Sequence, residues 1–132
     1  MARTRPLSER LLSRHYQTFD DALLECLRSG SVGDAALANA LPNVTMDRRV
    51  AIAAALGDIS GEAGTEALRK AIESADASRD LRCAGVLALG KRCGVAASAD
   101  FARSLASSDS AVKSYAMRCL AAAGDDRAWI RR

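Results

Sequence analysis

The stretch DLRCAGVLALG at residues 80–90 decides the fold, because it recurs along the chain. DRRVAIAAALG occupies residues 47–57, and the offset of 33 residues (80 − 47) aligns an acid, an arginine, two alanines and a closing Leu-Gly pair. A third copy, AVKSYAMRCLA, occupies residues 111–121, with Lys113 at the arginine position and Ala121 at the glycine position. A period of about 30 residues indicates stacked supersecondary units.

Another helix is predicted before each copy, at residues 34–41, 62–74 and 96–107, so that it is the first helix of a unit and the copy is the second helix. Each of these helices has an apolar pair spaced i, i+4. The pairs are Leu37 and Leu41, Leu68 and Ile72, and Phe101 and Leu105. Each unit is therefore two helices joined by a short turn, and such a unit buries its apolar face only by stacking on a neighbour.

The composition agrees with an all-α protein. Hydrophobic residues make up 49% of the chain and aromatic residues 4%, and the two prolines are Pro6 and Pro42. The formal charge is +3, from 19 basic and 16 acidic residues of interspersed sign, which is typical of an ordinary solvated surface. Neither a membrane span nor a secretory signal is evident, so a cytoplasmic location is expected.

The cysteines and the histidine give no sign of a metal site. The four cysteines form no C-x-x-C pair, and His15 is the only histidine. We therefore expect reduced thiols and no zinc. The cysteines are Cys26, Cys83, Cys93 and Cys119.

The N-terminal part is predicted to be helical. A short helix is expected over residues 7–15, and a stronger one over residues 18–28 with Thr18 as its N-cap. The SGSVG run at residues 29–33 is typical of a turn. His15 is expected at a helix end.

The pattern of an apolar helix, a polar turn and V/L-R-x-x-A-x-x-A-L-G resembles the short HEAT-like repeats first described in phycobilin lyases and common in bacterial scaffolding proteins. The tetratricopeptide and ankyrin signatures are absent. The resemblance implies a short right-handed α-solenoid of about three HEAT-like helix pairs with an N-terminal helical cap. Residues 7–132 would form this single domain after a disordered basic tail at residues 1–6. The cap would span residues 7–30, the repeats 34–58, 62–92 and 96–123, and a partial repeat or C-terminal cap 125–132.

The resemblance also implies a ladder in which a second-helix base pairs with a turn acid of an adjacent repeat. Its basic members would be Arg49, Arg82 and Lys113. The acid expected six residues earlier is Asp76 before Arg82. The equivalent residues before Arg49 and Lys113 are Asn43 and Ser107, so Asp47, Asp80 or Asp109 would have to substitute.

On the side away from the core, the second helices form a ridge, which in a solenoid lines the inner, concave face and is the usual binding surface. Ile52, Ala53, Leu56, Val86, Leu89, Ala116, Met117 and Leu120 are predicted to face the core. The ridge grows bulkier toward the C-terminus, and its candidate partner-binding residues are Leu87, Lys91, Tyr115 and Arg118. Tyrosine and arginine are favoured as interface anchors, although Tyr115 could instead pack on a neighbouring helix.

Trp129 is a further candidate partner-binding residue, because the segment DDRAWIRR at residues 125–132 resembles the start of another first helix. Either Trp129 folds back to plug the end of the core, or the end stays open and stacks on a partner, including a second copy of the chain.

The functional prediction is a non-catalytic adaptor or scaffold that binds another protein and needs no cofactor. The sequence has no Gly-rich phosphate loop after a strand and no H-E pair, and nothing nearby makes His15 a catalytic base. One alternative is a module that binds the nucleic-acid backbone. The other, from the resemblance alone, is a lyase-like chromophore chaperone. The nucleic-acid alternative would use Arg48, Arg79, Lys91, Arg92, Arg103 and Arg118.

Overall fold

The computed structural model describes residues 6–93, 106 and 109–122, and every regular element within them is helical. The all-α prediction is confirmed. A 3₁₀ turn at Leu41–Asn43 joins the third and fourth helices. The α-helices are α1 (Leu7–Leu11), α2 (Tyr16–Arg28), α3 (Gly30–Ala40), α4 (Met46–Leu56), α5 (Glu62–Glu73), α6 (Arg79–Cys93) and α7 (Ser110–Ala122).

Helices in equivalent places of successive units contact each other. The first helices α3 and α5 pack together, as do the second helices α4 and α6, and α6 packs in turn on α7. Within one unit α5 packs on α6, while α1 and α2 pack on α3 at the N-terminal end. The handedness and the solenoid geometry stay predictions.

The predicted inward face of the second helices is confirmed where the structure describes it. Ile52, Leu56 and Leu89 are fully buried, and so is Ala116 on α7. Each large aliphatic side chain buried in this way stabilises the fold by about 1.5–3 kcal/mol. Met117 is half-buried against the same core, and the predicted position of Leu120 falls outside the described side chains.

The predicted turn at residues 29–33 is wrong, because α3 already begins at Gly30. Gly30 has a φ of 55°, so the chain reverses at a single residue. Gly33 then lies inside α3 against α2, where an added methyl would overlap the Cys26 carbonyl. The glycines of this run therefore have two separate roles. Gly30 allows a sharp reversal of the chain, and Gly33 allows α2 and α3 to approach closely.

The predicted N-cap at Thr18 is also wrong. Helix α2 begins at Tyr16, with His15 in the N-cap position. The earlier start agrees with contacts made by Arg48, whose guanidinium lies 4.7 Å from the ring centroids of both Tyr16 and Phe19. Arg48 also donates to the main-chain carbonyls of Ser13 and of the residue that follows it. A long-range stack of this kind stabilises the first turn of α2 and has no local sequence signal.

Several predictions lie outside the described residues. They are the third first-helix at residues 96–107, the segment at 125–132 with Trp129, and the tail apart from Pro6. Within the described part of the chain, no helix is long and apolar enough to cross a bilayer.

Candidate functional site

The candidate site is the second-helix ridge, the outward line of side chains on α4, α6 and α7. Its members alternate with the core positions and are exposed or half-buried, as the helical period requires. The three helices pack in sequence, so their ridges lie on neighbouring elements. The described ridge residues are Asp47, Ala51, Ala54, Asp58, Asp80, Ala84, Leu87, Lys91, Ala111, Tyr115 and Arg118.

Leu87 is the apolar centre of this ridge. Its side chain remains 39% exposed, although its helix neighbours Val86 and Ala88 are buried. Among the described side chains of α4 to α7, no other large hydrophobic residue is exposed. An exposed leucine by itself is common, so its meaning depends on the residues around it.

Lys91 is paired on the ridge rather than extended into solvent. Its Nζ lies 2.6 Å from Oδ1 of Asp58, which is 33 residues earlier and occupies the equivalent position of the preceding unit. Both side chains are more than half exposed, so the pair contributes at most about 1 kcal/mol. The contact links the turn after α4 to α6 and places the lysine one helical turn beyond Leu87.

Tyr115 and Arg118 form a preassembled pair on α7. The Arg118 guanidinium carbon lies 5.7 Å from the Tyr115 ring centroid, within the range of a cation–π contact. Tyr115 is half-buried and packs against the core, while Arg118 is exposed. Tyr115 therefore packs against the core, as expected if its role is structural, and it also remains partly exposed.

Two of the predicted ladder residues, Arg49 and Asp76, form an ion pair between adjacent units, although the sequence placed Asp76 with Arg82. Arg49 of the first unit lies 3.7 Å from Oδ2 of Asp76, in the turn of the second unit. Its Nε and Nη2 donate to the carbonyls of Val44 (3.0 Å) and Pro42 (3.1 Å). A hydrogen bond from Ser74, and to a smaller extent the charge of Arg49, lower the pKa of the Asp76 carboxyl.

The next ladder contact uses a different arginine from the predicted one. Arg79, rather than Arg82, binds Asp109, with 2.8 Å between Nε and Oδ2. This hydrogen bond lowers the pKa of Asp109. Arg82 instead donates to the Ser74 carbonyl at 3.3 Å, and Lys113 is exposed. Asp109, one of the substitute acids named from the sequence, therefore pairs with Arg79, which was not among the predicted ladder bases.

The structure also contains a buried polar cluster that the sequence did not predict. Asp34, expected at a helix start, is buried in α3 and lies 2.8 Å from Nη1 of Arg92 on α6. Both side chains are at least 98% buried. Arg92 also donates to the Leu56 carbonyl at 2.6 Å and to the Gly61 carbonyl, while the Gly64 N–H donates to Asp34 at 2.8 Å. Hydrogen bonds thus reach Arg92 and Asp34 Oδ2, while Asp34 Oδ1 has only the ion-pair contact with Arg92. A buried charge pair is tolerated when its attraction and such hydrogen bonds together offset the loss of hydration.

Two glycines make room for this cluster. A methyl on Gly61 or Gly64 would overlap the Asp34 carboxylate, and Gly61 has a φ of 146°. The sequence carried a weak signal, since one aspartate stands among small residues in VGDAALANA. Identifying its partner required knowing that residues 34, 61–65 and 92 meet in space.

In the described part of the chain, the basic residues of the nucleic-acid alternative are either buried or engaged by other side chains. Arg48 is 9% exposed and the Arg92 side chain 1%. Arg79 and Lys91 pair with aspartates, and Arg118 lies over a tyrosine ring. Arg103 lies outside the described residues.

A separate groove of about 480 Å³ lies between α3 and α5, lined largely by alanine and leucine side chains. Arg49 lines it, from a face of α4 other than the ridge. The chromophore alternative requires an apolar cleft large enough for a tetrapyrrole. This groove is an apolar hollow in the described part of the chain against which that requirement can be judged. Those residues contain no cluster of three potential metal ligands among histidine, cysteine and acidic side chains.

No family model, curated protein or solved structure matches the chain. We therefore infer the function from the residues and contacts of this chain.

Proposed function

We propose that the chain is a short HEAT-like α-solenoid that acts as a non-catalytic adaptor, binding a partner protein through the second-helix ridge. The observation that carries this proposal is the apolar side chain of Leu87, 39% exposed on a helix that packs against the one bearing Tyr115 and Arg118. Leucine supplies apolar contact area, while tyrosine and arginine are enriched among residues that dominate binding energy.

The geometry around these residues supports a preformed surface. Arg118 is held over the Tyr115 ring, and Lys91 is held by Asp58, so less side-chain entropy is lost on binding. The ridge residues of α4 are small between its two aspartates, with Ala51 and Ala54. Small side chains let a partner backbone approach closely, while the bulkier part at Leu87 and Tyr115 provides the anchors.

The test is site-specific photo-crosslinking in the source cell. A photoreactive amino acid at position 87 is expected to give an adduct with one partner protein. An excess of the unmodified chain should reduce the yield of this adduct, because both compete for the same partner. The matched control is position 32, because Val32 is 67% exposed but lies on α3, away from the ridge. Adducts of the same size and yield at both positions, or none at position 87, would count against the ridge.

A second readout uses ridge variants. Leu87→Ser, Tyr115→Ala and Arg118→Glu are each expected to lower adduct yield at a neighbouring ridge position by tenfold or more, as for a residue worth about 1.4 kcal/mol or more. Val32→Ser is expected to leave the yield unchanged. Circular dichroism checks that each variant remains helical.

The nucleic-acid alternative receives no specific support from the contacts of its arginines. Gel retardation with a short DNA duplex at low salt separates the two functions, because phosphate contacts are strongest there. No retarded band is expected. Retardation that disappears with added salt would favour the alternative.

A further inference from the structure

The groove between α3 and α5 is lined by buried leucines, by several alanines and by three charged side chains. Leu41 and Leu81, at its base, are 2% and 1% exposed. Alanines line much of the rest, including Ala38, Ala67 and Ala71. Its volume of about 480 Å³ falls in the range of sites for small organic ligands, roughly 300–1,000 Å³.

One end of this groove carries a fixed positive group. Arg49 donates its Nε and Nη2 to main-chain carbonyls, which holds the guanidinium plane in place. The remaining nitrogen, Nη1, faces Asp76 only at 3.7 Å, and the Asp76 side chain is 71% exposed. A ligand carboxylate could replace this long, solvated contact with a shorter charge-assisted hydrogen bond.

The other charged residues lining the groove favour an anion. Lys70 contributes a second positive charge. The one lining carboxylate, Glu66, lies 3.9 Å from Arg69, one turn along α5, so its charge is partly offset. The lining therefore pairs an apolar body with a positive end.

We propose that this groove binds an aliphatic carboxylate, with the chain along the alanines and the carboxylate at Nη1 of Arg49. The lining follows α5 from Ala63 to Ala71, about 12 Å of helix, so the occupant is elongated. This site goes beyond the adaptor function and uses a different face of the molecule. Its failure would leave the ridge proposal untouched.

The first experiment titrates hexanoate, octanoate and decanoate into the full chain, below their micelle concentrations. Affinity is expected to rise with length by up to about three- to fourfold per methylene. Hexanol, which lacks the carboxylate, is expected to bind at least tenfold more weakly than hexanoate. Binding is followed by calorimetry and by the NMR signals of ¹³C-labelled alanine methyls, where Ala67 and Ala71 shift and Ala54 does not.

Three variants locate the site. Ala63→Leu places a larger side chain on the exposed part of the lining and is expected to weaken octanoate binding at least tenfold. The matched control, Ala54→Leu, adds the same bulk at an exposed position outside the groove and should have no effect. Asp76→Asn removes the competing carboxylate and is expected to tighten octanoate binding severalfold.

The charge requirement is tested with Arg49→Met, with Lys70→Met as a second variant in case the first unfolds. Each should reduce the preference for hexanoate over hexanol. The proposal is overturned if the acid and the alcohol bind equally, if Ala63→Leu and Ala54→Leu behave alike, or if the shifted methyls lie outside the groove.

Discussion

At the scale of single residues, the buried pair of Asp34 and Arg92 is the clearest departure from the repeat pattern. Neither Asp34 nor Arg92 belongs to the residues that recur in the repeat copies. Their contact joins α3 directly to α6. Removing one partner of such a pair costs far more than the pair itself contributes, because the other charge stays buried without compensation. The sequence could not reveal this, since the 34–92 contact depends on three segments meeting.

We therefore expect Asp34→Ala to lower the free energy of unfolding by about 3–5 kcal/mol, because Arg92 loses its carboxylate and the Gly64 N–H its acceptor. Urea unfolding followed by circular dichroism measures the change. The control is Asp58→Ala, which removes the exposed pair with Lys91 and should cost at most about 1 kcal/mol. Equal losses in the two variants would contradict the assigned role.

Cys26 gives a second prediction at this scale. Burial raises the pKa of its thiol to about 11, and the side chain is fully buried. Because the unfolded thiol ionises first, its contribution to stability is complete below about pH 9 and is lost as pH rises toward 11. Cys26→Ala should therefore show a flatter fall in unfolding free energy over this range. An unchanged slope would contradict the prediction.

At the scale of elements, sequence periodicity located most helices within one to three residues but misplaced the junction of α2 and α3. Turn signals in SGSVG are correct for Gly30 and misleading for Gly33. A glycine demanded by a tight helix crossing has the same appearance in sequence as a glycine demanded by a turn. Only the position of α2 distinguishes the two.

This distinction predicts different effects for two alanine substitutions. Gly33→Ala would place a methyl against the Cys26 carbonyl, which is main chain and cannot move without shifting α2. We expect a loss of about 3 kcal/mol or more in unfolding free energy. Gly30→Ala meets open space and carries only the cost of its positive φ, about 1–2 kcal/mol. Thermal unfolding of both variants, compared in one buffer, tests the order, and a reversed order would contradict it.

At the scale of the whole molecule, two of the ion pairs between units have a sequence offset close to the repeat length. Asp58 pairs with Lys91, and Arg79 with Asp109. The period therefore predicted which helices would be neighbours and which residues would face inward. It could not predict whether Arg79 or Arg82 would reach Asp109, because that depends on helix rotation.

Three hydrogen-bonded aspartates predict how the stability of the fold changes in acid. Hydrogen bonds lower the pKa values of Asp47, Asp76 and Asp109 below the ordinary value of 3.8. Each aspartate thus stabilises the fold above that value, and the contribution disappears as pH falls through the lowered pKa. Unfolding free energy should decline as pH drops below about 4. Asp109→Asn should show a shallower decline than the parent chain, and an identical pH profile would contradict this.

The pair of Asp34 and Arg92 also has a consequence for synthesis. Asp34 is synthesised well before Arg92, because 58 residues (92 − 34) separate them in the chain. At about 5–20 residues per second, this interval lasts roughly 3–12 s. During it, the nascent N-terminal helices cannot enclose the aspartate without leaving a charge uncompensated. We therefore expect the core around Asp34 to be completed only after α6 has emerged, and a chain that ends before Arg92 to be less stable.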